Sequence, residues 1–435
     1  MSLFFSNVIA PRLSQSFQVV RGDYFLDERK EFSEEGCEEL LSVSEYSGVT
    51  PRRESLSDGE HLSRAESLEG YRLVKVGDLV MNYMLAWKGA QGVSAHEGIT
   101  SPAYSVFKID PNKADKNFVH HLFRSDLFKQ YFRSESSGII ESRLRFYPES
   151  LRSLKIGLPS LAVQVKTSRY LDYETARIDA LVEKKTRFIE LLREKRQALI
   201  THAVTKGLDP NVKMKDSGVE WLGEVPEHWG VLKLGRHVAV TTGFAFPSSE
   251  FSPNPEHKRL LRGVNVGVSS LRWDETVYWE RRDGDGLDAF ELKQGDLVLG
   301  MDRPWISEGL RIAFVEKSDL PCILLQRVAS LKSDAKLSKK FLYHVLSSEL
   351  FRAALMPDMT GLSVPHISSE QITGFMLALP PAREQQLICE RLECELSRIS
   401  FLISKTERSV ELLKERRSAL ITAAVTGQID LREAV

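Results

Sequence analysis

The chain has 435 residues and a formal net charge of −1, with 59 Lys and Arg set against 60 Asp and Glu. That balance excludes a protein that is basic throughout, although a neutral total leaves room for local basic patches. The length leaves room for two or three domains, the 42% hydrophobic content is that of an ordinary globular protein, and no apolar run nears the ~18 residues of a membrane span.

The N-terminal MSLFFSNVIAPRL lacks a basic stretch followed by an apolar core, so the expected location is cytoplasmic. Residues 27–69 are polar and acidic, include PRRESLSDGEHLSRAES, and suggest loops and short pieces. The alternation in YRLVKVGDLVMNYM, around a turn at Gly77 and Asp78, predicts two strands, and ITSPAYSVFKID at 99–110 predicts another. Phe118, Leu122, Phe128 and Tyr131 fall at helical spacing over 117–132, with Asn117 as the expected N-cap. The Ser/Gly-rich SESSGII then makes a loop before LRSLKIGLP.

Next comes a stretch that the chain contains twice. RFIELLREKRQALITHAVTKGLD at 187–209 and RSVELLKERRSALITAAVTGQID at 408–430 align without a gap at an offset of 221, with 14 of 23 positions identical. A period of about half the chain means a two-fold duplication, not a solenoid. Both copies lack proline and are rich in helix-forming residues. Leu171, Ile178, Leu192 and Leu199 share one heptad position, interrupted by Lys185, with Leu181 and Phe188 three residues on. In the second copy Leu392, Ile399, Leu413 and Leu420 match, with Leu402 three beyond Ile399. These seams predict a coiled coil, parallel or antiparallel. Pro159 and the pair Pro380 and Pro381 mark the starts, giving helices of ~45 residues, or roughly 65–70 Å.

Between the helices lies a connector containing KDSGVEWLGEVPEHWG, and then the first plan recurs. Lys293 to Val298 (KQGDLV) answers Lys75 to Val80 (KVGDLV). Phe341, His344, Ser348, Leu350 and Phe351 answer Phe118, His121, Ser125, Leu127 and Phe128. Gly361 answers Gly138 and Pro380 answers Pro159. The expected divisions are 1–159, 160–206, 207–380 and 381–435: globular unit, long helix, connector with a second globular unit, and long helix with tail. The framework repeats while the interiors of the globular units diverge, which suits two heads that read different things.

The usual signatures of catalysis are missing. There is no Walker A loop, G-x-S-x-G elbow, H-E-x-x-H or dinucleotide fingerprint. There is also neither an N/D-P-P-Y/F loop nor a glycine loop for S-adenosylmethionine. Cys37, Cys322, Cys389 and Cys394 form no zinc or redox spacing, and His96–Glu97 and His120–His121 lack a third ligand. No metal or catalytic residue is assigned, and a binding subunit is expected.

The connector VEWLGEVPEHWGVLKLG, the endings LREKRQALITHAVTKG and LKERRSALITAAVTGQID, the entry PPAREQQ, and the paired GDLV segments with GITSPAYSVFKI resemble the specificity subunits of type I restriction-modification systems. The resemblance spans nearly the whole chain. It implies an α+β fold class: two similar mixed α/β target-recognition domains separated by two long helices paired as an antiparallel coiled coil, a pseudo-two-fold duplication. It also implies a non-catalytic, DNA-binding subunit in which each domain reads one half of a bipartite asymmetric sequence in double-stranded DNA. Two methyltransferase subunits would dock, using S-adenosylmethionine for adenine N6 methylation. Two restriction subunits using ATP and Mg would add cleavage, and no cofactor would belong to this chain. One departure is the opening, where many relatives carry a W-L-G-type segment before the first domain and this chain has MSLFFSNVIAPRLSQSF.

Phosphate contacts are expected from Lys and Arg on one face, and base contacts from Arg, Gln, Asn, Ser or Thr on loops. The candidates are Trp87, Lys88, Gln91, Arg143 and Arg145 in the first domain, and Arg303, Trp305, Arg311, Gln326 and His366 in the second. For each, a packing or solvated role is the competing reading. Trp221 and Trp229 are expected to be structural or partner-facing, and Glu183, Lys184 and Glu194 to lie on a solvated or docking face. Two other readings of the whole remain: a coiled-coil scaffold without sequence specificity, and a DNA-modifying enzyme whose site has unfamiliar spacing.

Overall fold

The computed structural model describes residues 3–55, 67–359 and 365–429. Part of the acidic run and Gly361 therefore lie outside the described residues. The chain forms two compact units, one of Met1–Thr186 with Glu407–Val435 and the other of Arg187–Thr406. The division cuts both long helices, Leu161–Lys206 and Ala382–Val425.

In the first unit, an antiparallel sheet has the order Leu26–Glu28, Tyr104–Ile109, Leu79–Asn82, Gln91–Val93. All of Leu79–Asn82 is buried, and the two-residue period of a strand sorts its side chains. Leu79 and Met81 join the main core with Phe107, Phe118 and Phe128, whereas Val80 joins Val106, Leu41 and Val43 on the other face. The expected single strand over 99–110 is two, Gly98–Thr100 and Tyr104–Ile109, and Gly98–Thr100 pairs with Arg72–Val74. The expected helix over 117–132 is also two, Lys116–Arg124 and Asp126–Ser134. Asp115, not Asn117, caps the first by accepting from Phe118 N at 2.8 Å. Ser125 is extended and caps the second, breaking the run because its hydroxyl takes Phe128 N.

The second unit repeats this sheet as Val238–Thr242, Val328–Ser333, Leu297–Gly300, Ile312–Phe314, with helices Lys339–Leu346 and Glu349–Met359. The turn before the central strand is also repeated. Gly77 and Gly295 adopt φ of 93° and 79°, and Asp78 and Asp296 each accept the backbone N–H three residues earlier at 2.9 Å. The additions differ. The second unit carries a sheet ordered Tyr278–Trp279, Lys258–Leu261, Cys322–Leu324 and a hairpin of Trp305–Ile306 with Gly309–Leu310; the first carries the hairpin Leu41–Ser44 with Gly48–Pro51.

Within each unit the long helices run antiparallel, which settles the choice that periodicity left open. In the first, Leu171 shares a core with Ile421 and Ala424, and Arg417 Nε donates to Asp179 at 2.8 Å. In the second, Ile200 and Val204 share a core with Ile388, Leu392 and Leu396. The expected seam needs correction. Leu181, Phe188 and Leu402 are exposed at 40%, 44% and 43%, and the inward positions lie four residues, not three, after the shared heptad positions at 171, 178, 185, 392 and 399. They include Thr175, Val182 and Ile189 in one helix and Leu396 and Ile403 in the other. Thr175 tolerates burial because its hydroxyl donates to Leu171 O at 2.7 Å.

The atypical opening has a structural role. Ser14 N donates to Thr426 O at 3.0 Å, and Ile9 is buried in the first unit's core. Gly427, at φ 74°, leaves room for Phe17, whose ring would lie 2.6 Å from a Cβ there. Gly207, at φ 73°, faces Trp229 in the second unit, 3.3 Å from the corresponding point. Phe17 thus stands at the end of one long helix as buried Trp229 stands at the end of the other. Trp221, in the same connector, is 41% exposed.

Candidate nucleic-acid interface

In the second unit, sheet register gathers arginines from separate parts of the chain. Gly300 pairs with Val328, and Leu299 with Ile312. The residues after Leu297–Gly300 therefore emerge beside those before Val328–Ser333 and Ile312–Phe314, at one end of the sheet. Those residues are Asp302 and Arg303, Gln326 and Arg327, and Arg311. With Arg262 they line a concavity of about 410 Å³, four guanidiniums to one carboxylate among its described lining residues.

The backbone here is held tightly. Gly300 N donates to Arg311 O at 2.8 Å, Met301 N to Arg327 O at 2.9 Å, and Arg303 N to Pro365 O at 2.8 Å. Arg303 and Arg327 have φ of 43° and 69°, a left-handed conformation that costs about 1–3 kcal/mol for a residue with a Cβ. Arg311 Nε donates to Val266 O at 2.9 Å; burial, and then the charge of Arg272, draw its pKa below the usual guanidinium value. The ring nitrogen Nδ1 of His366 donates to Asp302 Oδ1 at 2.6 Å, and Arg327 Nη1 lies 3.8 Å from the same oxygen.

The structure thus brings Arg303, Arg311 and Gln326 together, with His366 at their edge through Asp302. It separates Trp305, which is half-buried with its ring 6.0 Å from Phe351 and lines another concavity with Arg193 and Gln197. Arg262, Asp302 and Arg327 are absent from the sequence-based candidates. The available signal for Arg327 was Gln326–Arg327, two polar residues interrupting the apolar CILLQRVASL.

In the first unit the candidates divide. Gln91 is buried, with Nε2 donating to Phe123 O at 2.9 Å. Trp87 is buried too, its Nε1 donating to Met84 O at 3.2 Å. Neither sits on an open loop. Lys88 is exposed, its Nζ 5.1 Å from the Trp87 ring centre, and Arg133 lies against the same ring at 5.1 Å. Arg133 also pairs with Glu141 at 3.4 Å, next to exposed Arg143. Arg145 anchors that loop through paired backbone bonds with Ser137, both 2.9 Å, and leaves Ile139 fully exposed at the tip. Burial, and then the charges of Arg124, His121 and Arg417, push the His120 pKa down to about 4, so His120 is neutral and accepts from Val93 N at 3.2 Å. Among the described residues, no group of His, Cys, Asp and Glu is arranged to hold a metal, and no helix is long and apolar enough to cross a membrane.

The chain is 26% identical over 358 residues to the type I restriction enzyme MjaVIII specificity subunit of Methanocaldococcus jannaschii, covering 80% of this chain and 79% of that one. It is 34% identical over 207 residues to the EcoAI specificity subunit of Escherichia coli, covering 46% of this chain and 34% of that relative. Among solved structures, a chain from a study of complex assembly and conformational transition of the type I R-M system matches with a TM-score of 0.69 at 16% identity, covering 96% of this chain and 99% of that chain. The HsdS subunit from Thermoanaerobacter tengcongensis matches with a TM-score of 0.54 at 16% identity, covering 96% and 98%. No family model matches the chain.

Proposed function

We infer that the chain is a specificity subunit of a type I restriction-modification system, the non-catalytic part of the complex that recognises a DNA sequence. The observation that carries this reading is the pairing of one repeated scaffold with two unlike surfaces. The sheets, helix pairs and long-helix endings recur at offsets near 221, whereas among the described residues the arginine-lined sheet end belongs to the second unit.

Each globular portion, within 1–159 and 207–380, would read one half of a bipartite asymmetric site. A 46-residue helix is ~69 Å long, ample for half-sites about one 34 Å turn of DNA apart. The repeat also supports a stoichiometry of two methyltransferase subunits. Leu181 and Leu402, and likewise Leu191 and Leu412, are partners at an offset of 221, and all four are exposed by 40–48%. Apolar side chains left on the outer face of both helices fit two equivalent docking sites. The methyltransferases would bring S-adenosylmethionine and flip an adenine for N6 methylation; two restriction subunits would bring ATP and Mg. The cytoplasm is where such a complex would meet DNA.

A map of N6-methyladenine in host DNA, with the gene intact and deleted, tests this. Loss of one bipartite motif with a fixed unread gap is the expected result. An unchanged map with the methyltransferase expressed would overturn it.

A further inference from the structure

Resting on the reading of the second unit as a DNA-recognition domain, we propose that Arg327, oriented by Asp302, reads a guanine in that unit's half-site. Arg262 and Arg311 are committed within the wall of the concavity, through Glu275 O at 2.5 Å and Val266 O at 2.9 Å. Arg327 is placed differently. Its side chain is 57% exposed and its only described ion pair is the 3.8 Å approach to Asp302. The Nη1 that approaches Asp302 also lies 3.5 Å from His366 Nδ1, and among the described residues no contact involves the other guanidinium nitrogens.

The base of this side chain is rigid. Arg327 O accepts from Met301 N, and Gln326 N donates to Phe244 O, both at 2.9 Å. The left-handed φ of 69° aims the side chain away from the direction that an ordinary strand entry would give. Asp302 is fixed as well, by His366 at 2.6 Å and by the bond from Ile367 N to Met301 O at 2.9 Å. A guanidinium oriented in this way loses little rotamer freedom on binding.

Two ligands suit an exposed arginine on DNA: a phosphate, and the N7 and O6 edge of guanine. Asp302 decides between them. A carboxylate 3.8 Å from the guanidinium repels phosphate oxygens but accepts a hydrogen from the N4 amino group of the paired cytosine. The Arg327 and Asp302 pair therefore complements a G·C pair across the major groove.

The test uses the full chain with its methyltransferase partner and reads the methylated motif for wild type, Arg327→Lys and Asp302→Asn. The wild-type motif should hold a guanine at one position that Arg327→Lys relaxes by roughly tenfold or more. The other half-site and the gap should be unchanged, and Asp302→Asn should relax the same position less. Lysine keeps the charge but not the planar fork, so an intact motif with Arg327→Lys overturns the proposal. So does uniformly weaker binding with a shallower salt dependence, the mark of a phosphate contact. A wild-type map without any bipartite motif would overturn the specificity-subunit reading along with it.

Discussion

Gln164 and Gln385, 221 positions apart, make the same three hydrogen bonds in their respective units. Each is buried in the first turn of a long helix. Each Oε1 accepts the backbone N–H at the start of the first helix of its globular portion, Asp115 at 2.9 Å or Ser338 at 2.8 Å. Each Nε2 donates to the carbonyl of the proline at the helix entry, Pro159 or Pro380, at 2.9 Å, and to a second carbonyl, Lys113 or Lys336. The pair locks helix to globular portion at equivalent points.

Replacing either glutamine with leucine orphans a backbone N–H and two carbonyls. An orphaned buried group costs about 1–3 kcal/mol, so Gln164→Leu and Gln385→Leu should each lower the melting temperature of the full chain. Calorimetry of the two variants should give similar losses, because the networks match.

The corrected seam makes a contrast along the long helices. Ile189→Ala, at an 8% exposed position, should cost about 2–5 kcal/mol. Leu181→Ser and Leu402→Ser should leave the melting temperature within experimental scatter yet weaken capture of the methyltransferase. Pull-down and thermal melts on the same preparations separate the two effects.

Removing one heptad from both long helices shortens each by ~10 Å, or about three base pairs at 3.4 Å. Both half-sites should survive with a shorter unread gap in the methylated motif. Sequencing the methylated sites of the shortened variant reads this directly.

His120 and His344 are both held near pKa 4, chiefly by burial, below the ordinary value of 6.5. The unfolded chain therefore binds more protons between those values, so stability is full above about pH 6.5 and falls as pH drops toward 4. Each histidine contributes up to about 3 kcal/mol to this loss. Urea melts from pH 7 to 4.5 should show it, and His344→Gln should flatten the slope.

The sequence alone determined the duplication, the two long helices, the GDLV turns and the absence of familiar catalytic loops. These are legible because repetition, heptad spacing and turn chemistry lie along the chain. Where one position chose between local alternatives, tertiary structure decided. Asp115 displaced Asn117 as the cap and Ser125 split a continuous helical pattern. The inward heptad positions fell on Thr175 and Val182 instead of Leu181, because an antiparallel partner selects the face it buries. The same applies to the candidate interface. Trp87 and Gln91 have the chemistry of DNA readers but are enclosed by the Phe123 region, while Arg303, Arg311 and Arg327 meet only because antiparallel register brings three strand ends together. Residues far apart in sequence become one site through pairing across the sheet, and no spacing along the chain encodes that.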